Sequence, residues 1–234
     1  MSTGPAPDTL EGVTVAERAL VVEETLVVAD LHVGRGPSSN VSLPVGDGSE
    51  MVECFESLLA RYDPAEAVVA GDLLHSFRTV PRTVERVVDG LAAAARDAGA
   101  RLVVTPGNHD TMLDSVWSGP TVESHRIGET VVCHGHVEPD RTAERYVVGH
   151  DHPTITIEGQ RRPCLLAGDG VYRGADVVMV PAFNRLLRGV EVNHMTADEF
   201  MSPLVTDADA FAPIVLDGDE PLVFPPLGEF RHRL

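Results

Sequence analysis

Five short stretches of this chain place aspartate, asparagine or histidine directly after a run of valines and other apolar residues. The stretches read VVADLH, VVAGDLLH, VVTPGNHD, VVCHGH and YVVGHDH. In chain order they supply Asp30, His32, Asp72, His75, Asn108, His109, Asp110, His134, His136, His150 and His152. In extended chain, residues i and i+2 point to the same side, so the Asp-x-His and His-x-His pairs can each aim two side chains into one pocket.

This set of side chains has the chemistry of a metal site. Carboxylate, amide and neutral imidazole together suit borderline divalent ions such as Mn²⁺, Fe²⁺, Zn²⁺, Ni²⁺ or Co²⁺. One tetrahedral ion would leave many of these ligands unused, whereas two ions about 3.5–4 Å apart would use them all. A pair of divalent ions suits the hydrolysis of phosphate esters, because it neutralises the phosphate oxygens and acidifies a water held between the ions. We therefore expect two divalent cations from this group as cofactors.

The segments between the motifs indicate which elements position them. Apolar residues recur at helical spacing in 49–62 and 81–99, with Ser49 expected to cap the first helix and Pro81 and Gly99 to bound the second. Short valine-rich strands precede, separate and follow these helices. This alternation predicts a parallel sheet with crossover helices, and ligand sites in such α/β sheets lie at the carboxyl ends of the strands.

The second half of the chain has a different pattern. After residue 120 it reads as short strands separated by turns, which predicts a second sheet packed on the first. The pattern weakens from about residue 198 into acidic, proline-bearing sequence. We expect one domain over residues 1–200, followed by an extension, 201–234, that packs on the domain or is partly flexible.

The charge of the chain bears on its source and partners. The formal net charge is −18, from 36 acidic and 18 basic residues, and all the basic residues are arginine. Acid excess without lysine suits a protein that stays hydrated in concentrated salt, where self-repulsion is screened, so we predict a halophilic source. A long nonspecific grip on duplex DNA is disfavoured, because the sequence has no basic stripe.

The composition also bears on the compartment. No run of 18 apolar residues is present, so we expect no membrane span. The three cysteines form no CxxC pair, which favours free thiols in a reducing cytoplasm.

The ordered motifs resemble those of the calcineurin-like metallophosphoesterase superfamily. They are Asp30-x-His32, Gly71-Asp72-x-x-His75, Gly107-Asn108-His109-Asp110, His134 and Gly149-His150-x-His152. GDLLH resembles the SbcD-type nuclease branch, and GHDHPTI, RRPCLL and MVPAFNRLLRGVEVN resemble archaeal SbcD-related and bacterial DNA-ligase-associated phosphoesterases. The resemblance implies an α/β fold in four layers, α/β/β/α, with two mixed sheets flanked by helices.

The resemblance also implies a role for each ligand. Asp30, His32 and His152 would hold one metal ion, and Asn108, His134 and His150 would hold the other. Asp72 would bridge both ions, and a hydroxide between them would be the nucleophile.

Three further residues are candidates for catalysis. His109 follows a ligand and could stabilise the transition state or protonate the leaving oxygen, unless it only shapes its loop. Asp110 could orient His109. His75 could face the leaving group or make a structural hydrogen bond, and His136 could support the ligands or lie in a solvated turn.

The expected function is that of a metal-dependent phosphodiesterase acting on nucleotides or short single-stranded nucleic acid. The alternative is a non-catalytic scaffold of the same fold in a DNA repair complex, with a repair protein as partner. The sequence leaves the oligomeric state open.

Overall fold

A five-stranded sheet forms the first half of the fold in a computed structural model that describes residues 7–35, 48–75 and 78–231. Its strands lie in chain order and are β1 Val13–Ala16, β2 Ala19–Val22, β3 Thr25–Val28, β4 Glu66–Ala70 and β5 Arg101–Thr105. The first three strands pair antiparallel, whereas β3, β4 and β5 are parallel. The predicted parallel sheet is therefore present, with an antiparallel hairpin added at one edge.

Two helices make the crossovers between the parallel strands. Helix α1, Ser49–Tyr62, lies between β3 and β4, and helix α2, Arg82–Asp97, lies between β4 and β5. Both pack on the outer face of the sheet through an apolar stripe, as Phe55 and Leu91 illustrate. The predicted N-cap at Ser49 is wrong, because Gly48 holds that position with φ 86°, a left-handed value that glycine adopts without strain.

The second sheet has seven strands and is mixed. The remaining strands of the chain are β6 His125–Ile127, β7 Thr130–Val132, β8 Arg145–Val148, β9 Pro153–Ile157, β10 Gln160–Pro163, β11 Leu165–Tyr172, β12 Ala175–Met179, β13 Val190–Glu191, β14 Ala212–Asp217 and β15 Glu220–Val223. The large sheet has the order β15-β14-β11-β12-β8-β7-β6, and β10, β9 and β13 form a separate small sheet. Strand β14 pairs with β11, so residues beyond 200 contribute strands; where the domain ends along the chain stays a prediction.

The two large sheets pack face to face through valine-rich strand interiors. Val27 and Val68 of the first sheet share a fully buried cluster with Val147 and Val178 of the second. The outer face of the second sheet is covered by the small sheet, by 3₁₀ turns and by helix α3, Leu227–Phe230, with Ile155 and Phe211 buried between them. The expected mixed α/β architecture is confirmed. Within the described ranges, the long helices lie on the first sheet alone. The second sheet has no crossover helix there, because a β-hairpin and β11 connect β8 to its parallel neighbour β12.

None of the helices in the described ranges combines the length and the apolar composition that a membrane crossing requires.

Candidate metal centre

The carboxyl ends of five strands meet at one edge of the two packed sheets. The polar motifs follow β3, β4 and β5 in the first sheet and β7 and β8 in the second. They open into a cavity of about 300 Å³ lined by His32, Arg35, Asp72, Asn108, His109, His150, His152, Leu187, Arg188, Gly189, Val190 and Met201. The convergence expected from the strand-end rule is therefore what the fold produces.

One group of ligand atoms surrounds His152. Its Nε2 lies 3.2 Å from His32 Nε2 and 3.3 Å from Asp30 Oδ1. Asp30 and His32 are buried, and the second carboxylate oxygen of Asp30 accepts a hydrogen bond of 2.9 Å from the His150 backbone N–H. Two imidazole nitrogens and a carboxylate oxygen thus face a common point, as three ligands of one ion would.

A second group surrounds His134. Its Nε2 lies 3.0 Å from Asn108 Oδ1 and 3.1 Å from His150 Nδ1. On the other side of the ring, Nδ1 lies 3.3 Å from the carbonyl oxygen of Ala70. A proton on Nδ1 that is donated to this carbonyl leaves the Nε2 lone pair free for a metal ion, a common arrangement for ligating histidines.

Asp72 stands between the two groups. Its Oδ2 lies 3.5 Å from His32 Nε2 and 3.5 Å from His134 Nε2. Its Oδ1 accepts a hydrogen bond of 2.8 Å from the backbone N–H of His109. Burial, and then the charges of Asp30 and Asp110, raise the pKa of Asp72 to about 7, despite this hydrogen bond.

The cluster holds little positive charge to balance its buried carboxylates. Burial, followed by the neighbouring imidazoles, lowers the pKa of His32 to about 3, of His134 to about 2 and of His150 to about 4. These rings are therefore neutral at pH 7, which is the form that binds metal ions. Neutral imidazoles around two buried carboxylates make a donor set that fits divalent cations.

The backbone at the ligands is strained. Asp30 (φ 53°), His32 (φ 41°), Asp72 (φ 46°), His150 (φ 74°) and His152 (φ 49°) are five of the ten described non-glycine residues with positive φ. The i, i+2 argument from extended chain is thus wrong in detail, because the paired ligands reach the pocket from left-handed conformations. Each such residue costs about 1–3 kcal/mol and persists where the surrounding structure enforces it.

Inter-strand hydrogen bonds and close packing enforce these conformations. The Asp30 N–H donates to Gly71 O at 3.1 Å, and the His32 N–H donates to Asp72 O at 2.8 Å. A Cβ atom on Gly71 would overlap the ring of His134, and one on Gly107 would overlap the carboxylate of Asp72. Only glycine lets the backbone pass this close to the ligands.

The three candidate catalytic residues lie beside the ligands. The rings of His75 and His109 stack with centroids 5.8 Å apart, and His109 lies 5.1 Å from the ring of His32. The Asp110 carboxylate accepts backbone N–H bonds from Leu74 at 2.7 Å and Gly107 at 2.9 Å, so it ties two ligand loops together. That Asp110 also orients His109 stays a prediction.

His136 lies among the ligands. Its ring centroid is 5.0 Å from that of His134 and 6.0 Å from that of His150. Whether His136 supports the ligands or only occupies a solvated turn stays a prediction.

Sequence reasoning missed Asp151, the acid between the two histidines of His-x-His. Its side chain is 2% exposed and accepts backbone N–H bonds from Met201 at 2.8 Å and Ser202 at 3.0 Å. Asp151 thereby fixes the loop that carries Met201 against the ligand loop. The signal available in the sequence was that the residue between the two histidines is an acid, although the His-x-His spacing does not require one.

Comparisons with known proteins agree with this architecture. A family model of calcineurin-like phosphoesterases matches residues 24–190. The solved structure of a nuclease, MPE, from Pseudomonas putida is 22% identical, with 88% of this chain and 92% of that chain covered and a TM-score of 0.61. A phosphoesterase from E. coli, YfcE, is 18% identical, with coverages of 88% and 93% and a TM-score of 0.41. No curated protein matches the chain.

The Pseudomonas structure supports the fold. The family match extends over more than half of the chain and includes every strand end that carries a predicted ligand. The chain therefore belongs to the calcineurin-like phosphoesterase family, and it is a metal-dependent phosphoesterase.

Proposed function

We propose that this enzyme is a dinuclear phosphodiesterase that acts on nucleotides or short single-stranded nucleic acid. The observation that carries the proposal is the position of Asp72, whose Oδ2 is 3.5 Å from an imidazole nitrogen of each ligand group. A carboxylate in that place suits a bridge between two ions.

The proposed ligand sets follow the two groups. Asp30, His32 and His152 would hold one ion, Asn108, His134 and His150 would hold the other, and Asp72 would bind both. A mixture of oxygen and imidazole ligands suits borderline divalent ions, and we take Mn²⁺ as the first candidate, with Fe, Zn, Ni and Co as the others. When bound, the ions neutralise phosphate charge and supply an acidified water.

The chain's own side chains then complete the site. His109 lies beside His32 and stabilises the charge that develops on the phosphate or protonates the leaving oxygen. His75 stacks on His109 and restricts the movement of that ring. Asp110 keeps the loop of His109 in register with the loop of Asp72.

The proposed substrate class rests on the net charge of the chain and on its resemblance to the SbcD-related and DNA-ligase-associated phosphoesterases. A net charge of −18 opposes a long electrostatic grip on duplex DNA, so small or single-stranded substrates fit better. The motifs GDLLH and GHDHPTI support a place among archaeal SbcD-related and DNA-ligase-associated phosphoesterases, and the acid excess without lysine supports a halophilic source. The proposed partner is a DNA repair protein.

The test is hydrolysis of bis(p-nitrophenyl) phosphate by protein that has been stripped of metal and then titrated with Mn²⁺ in concentrated salt. We expect activity to rise until two ions are bound per chain and to stay near background in the metal-free protein. Folded, metal-loaded protein that is inactive with each of the candidate ions would overturn the proposal and would leave the non-catalytic scaffold as the function to pursue.

A further inference from the structure

One wall of the metal cavity is formed by two loops that carry no metal ligand. The first loop leads into β13 and contributes Leu187, Arg188 and Gly189, together with Val190, the first residue of the strand; the second contributes Met201. The cavity thus has a wall that the proposed ligand sets do not explain.

This wall presents apolar surface to solvent. Met201 is 61% exposed and Val190 is 37% exposed, and both belong to the few large apolar side chains that are exposed among the described residues. The other three are Val122, Val137 and Leu186. Exposed apolar surface in the mouth of a binding cavity is typical of a ligand contact.

The same wall carries an arginine that has no carboxylate of a described residue within ion-pair distance. Within the described ranges, eight arginines lie within ion-pair distance of a carboxylate, namely Arg61, Arg96, Arg101, Arg141, Arg162, Arg173, Arg185 and Arg231. Arg188 is one of the nine other described arginines, and of these nine only Arg35 and Arg188 line the cavity. A guanidinium left without a carboxylate beside a phosphoesterase site is suited to a phosphate.

Two hydrogen bonds hold the backbone of the first loop. Arg161 donates to Gly189 O at 2.8 Å, and the Val190 N–H donates to the carbonyl oxygen of His152 at 2.9 Å. A Cβ atom on Gly189 would overlap the His152 carbonyl, so the loop packs directly on the ligand loop.

The second loop is fixed by a different contact. Asp151 accepts the N–H of Met201, so the side chain of Met201 projects from a backbone that is already positioned. Preorganised backbone with solvent-facing side chains reduces the entropy that a ligand must overcome on binding.

We propose that Met201, Val190 and Arg188 form a nucleoside subsite beside the metal centre. The apolar pair holds the base next to the scissile phosphodiester, and Arg188 binds the neighbouring phosphate of a single strand. This inference rests on the proposed phosphodiesterase function. It fits a chain of net charge −18, which repels a strand at long range and must hold it by local apolar contact and direct ion pairing.

Three substrates with one leaving group test the subsite. They are methyl p-nitrophenyl phosphate, thymidine 5′-(p-nitrophenyl phosphate) and the 3′-phosphorylated form of the second. In each, water adds to phosphorus, the same P–O bond breaks and p-nitrophenolate leaves. The ratio of kcat/KM between the first and second measures the contribution of the nucleoside, and the ratio between the second and third measures that of the neighbouring phosphate.

We expect the wild-type kcat/KM to rise from the first substrate to the third. Met201→Gln, which keeps side-chain length and removes apolar surface, should reduce the thymidine-to-methyl ratio about tenfold, as loss of a base contact does. Arg188→Gln should reduce only the ratio between the third and second substrates. Val122→Thr and Arg86→Gln, at exposed positions outside the cavity lining, are the matched controls and should leave both ratios unchanged.

The outcomes separate the two proposals. Absence of metal-dependent cleavage of all three esters would overturn the proposed function. Cleavage of all three with equal kcat/KM, or with ratios that Met201→Gln and Arg188→Gln leave unchanged, would overturn the subsite and leave the phosphodiesterase standing.

Discussion

The interiors of the strands and their carboxyl ends obey opposite physical rules. Val27, Val68, Val147 and Val178 lie in regular strands, fully buried between the two sheets. A few residues further along the chain, the backbone turns left-handed and buries carboxylates beside neutral imidazoles. The interiors stabilise the fold, whereas the ends are held against their own conformational and electrostatic preferences.

This difference indicates where stability and function oppose each other. The valine core supplies the favourable free energy of burial, at about 25 cal/mol per Å² of apolar surface. Part of this favourable free energy is offset at the strand ends that carry the ligands, by strained φ values and by the raised pKa of Asp72. Substitutions at the ends should therefore damage activity and spare the metal-free fold, and substitutions in the interior should do the reverse.

The largest expected effect is on activity at Asp72. Asp72→Asn removes the charge that we place between two cations, so kcat should fall on the order of a thousandfold. The measurement is Mn²⁺-dependent hydrolysis of bis(p-nitrophenyl) phosphate. Asp89→Asn, the same change at an exposed position on α2, is the control and should keep wild-type activity. Near-normal turnover by Asp72→Asn would contradict the proposed bridging role of Asp72.

The same substitution should stabilise the metal-free protein. The folded-state pKa of about 7 at Asp72 lies above the ordinary value of 3.8, so ionisation above pH 7 destabilises the wild type. Asp72→Asn should raise the free energy of unfolding by about 4 kcal/mol at pH 8, and this advantage should shrink as the pH falls from 7 to 4. Denaturant unfolding in a chelator checks it, and added Mn²⁺ should reverse the order.

A smaller loss of stability is expected in the strand interior. Val147→Ala leaves a cavity between the sheets and should lower the free energy of unfolding by about 2 kcal/mol. The loss should be the same at pH 8 and pH 5, because no titrating group is removed. Activity per folded molecule should stay near the wild-type value. A strongly reduced kcat in folded protein would show that the interior and the ends are not separable.

The smallest expected effect is at Asp151. Asp151→Asn replaces one carboxylate oxygen by an NH₂ group and should lower the free energy of unfolding by about 1 kcal/mol, since one of its two hydrogen bonds to backbone N–H groups is lost. Hydrogen exchange should accelerate at the amides of Met201 and Ser202. Unchanged protection there would mean that other contacts hold this loop in place.

Much of the site could be predicted from the sequence, because polar residues that follow apolar strands must gather at one sheet edge. The convergence of Asp30, Asp72 and His134 needed only that rule. The left-handed backbone was not predictable, since periodicity treats Asp-x-His as extended chain. Asp151 was missed because a carboxylate between two histidines reads as a spacer, and its partners lie 50 residues away or more.

The sequence pattern also did not predict which elements cover the outer face of the second sheet. Short strands predicted a second sheet but not which of them would cover it. The small sheet of β9, β10 and β13 takes that place because the hairpin after His152 folds back over β8 and β12.

The left-handed backbone at the strand ends also restricts which amino acids these positions can accept during evolution. Aspartate, asparagine and histidine are the side-chain-bearing residues that adopt this conformation most readily, and they are also the residues that bind divalent ions. Glutamate shares the charge of aspartate but adopts this conformation less readily, although Glu23 and Glu158 do so in this chain, so a drift from Asp30 or Asp72 to Glu would encounter a conformational barrier. Descendants of this chain should accordingly vary in their loops long before they vary at these positions.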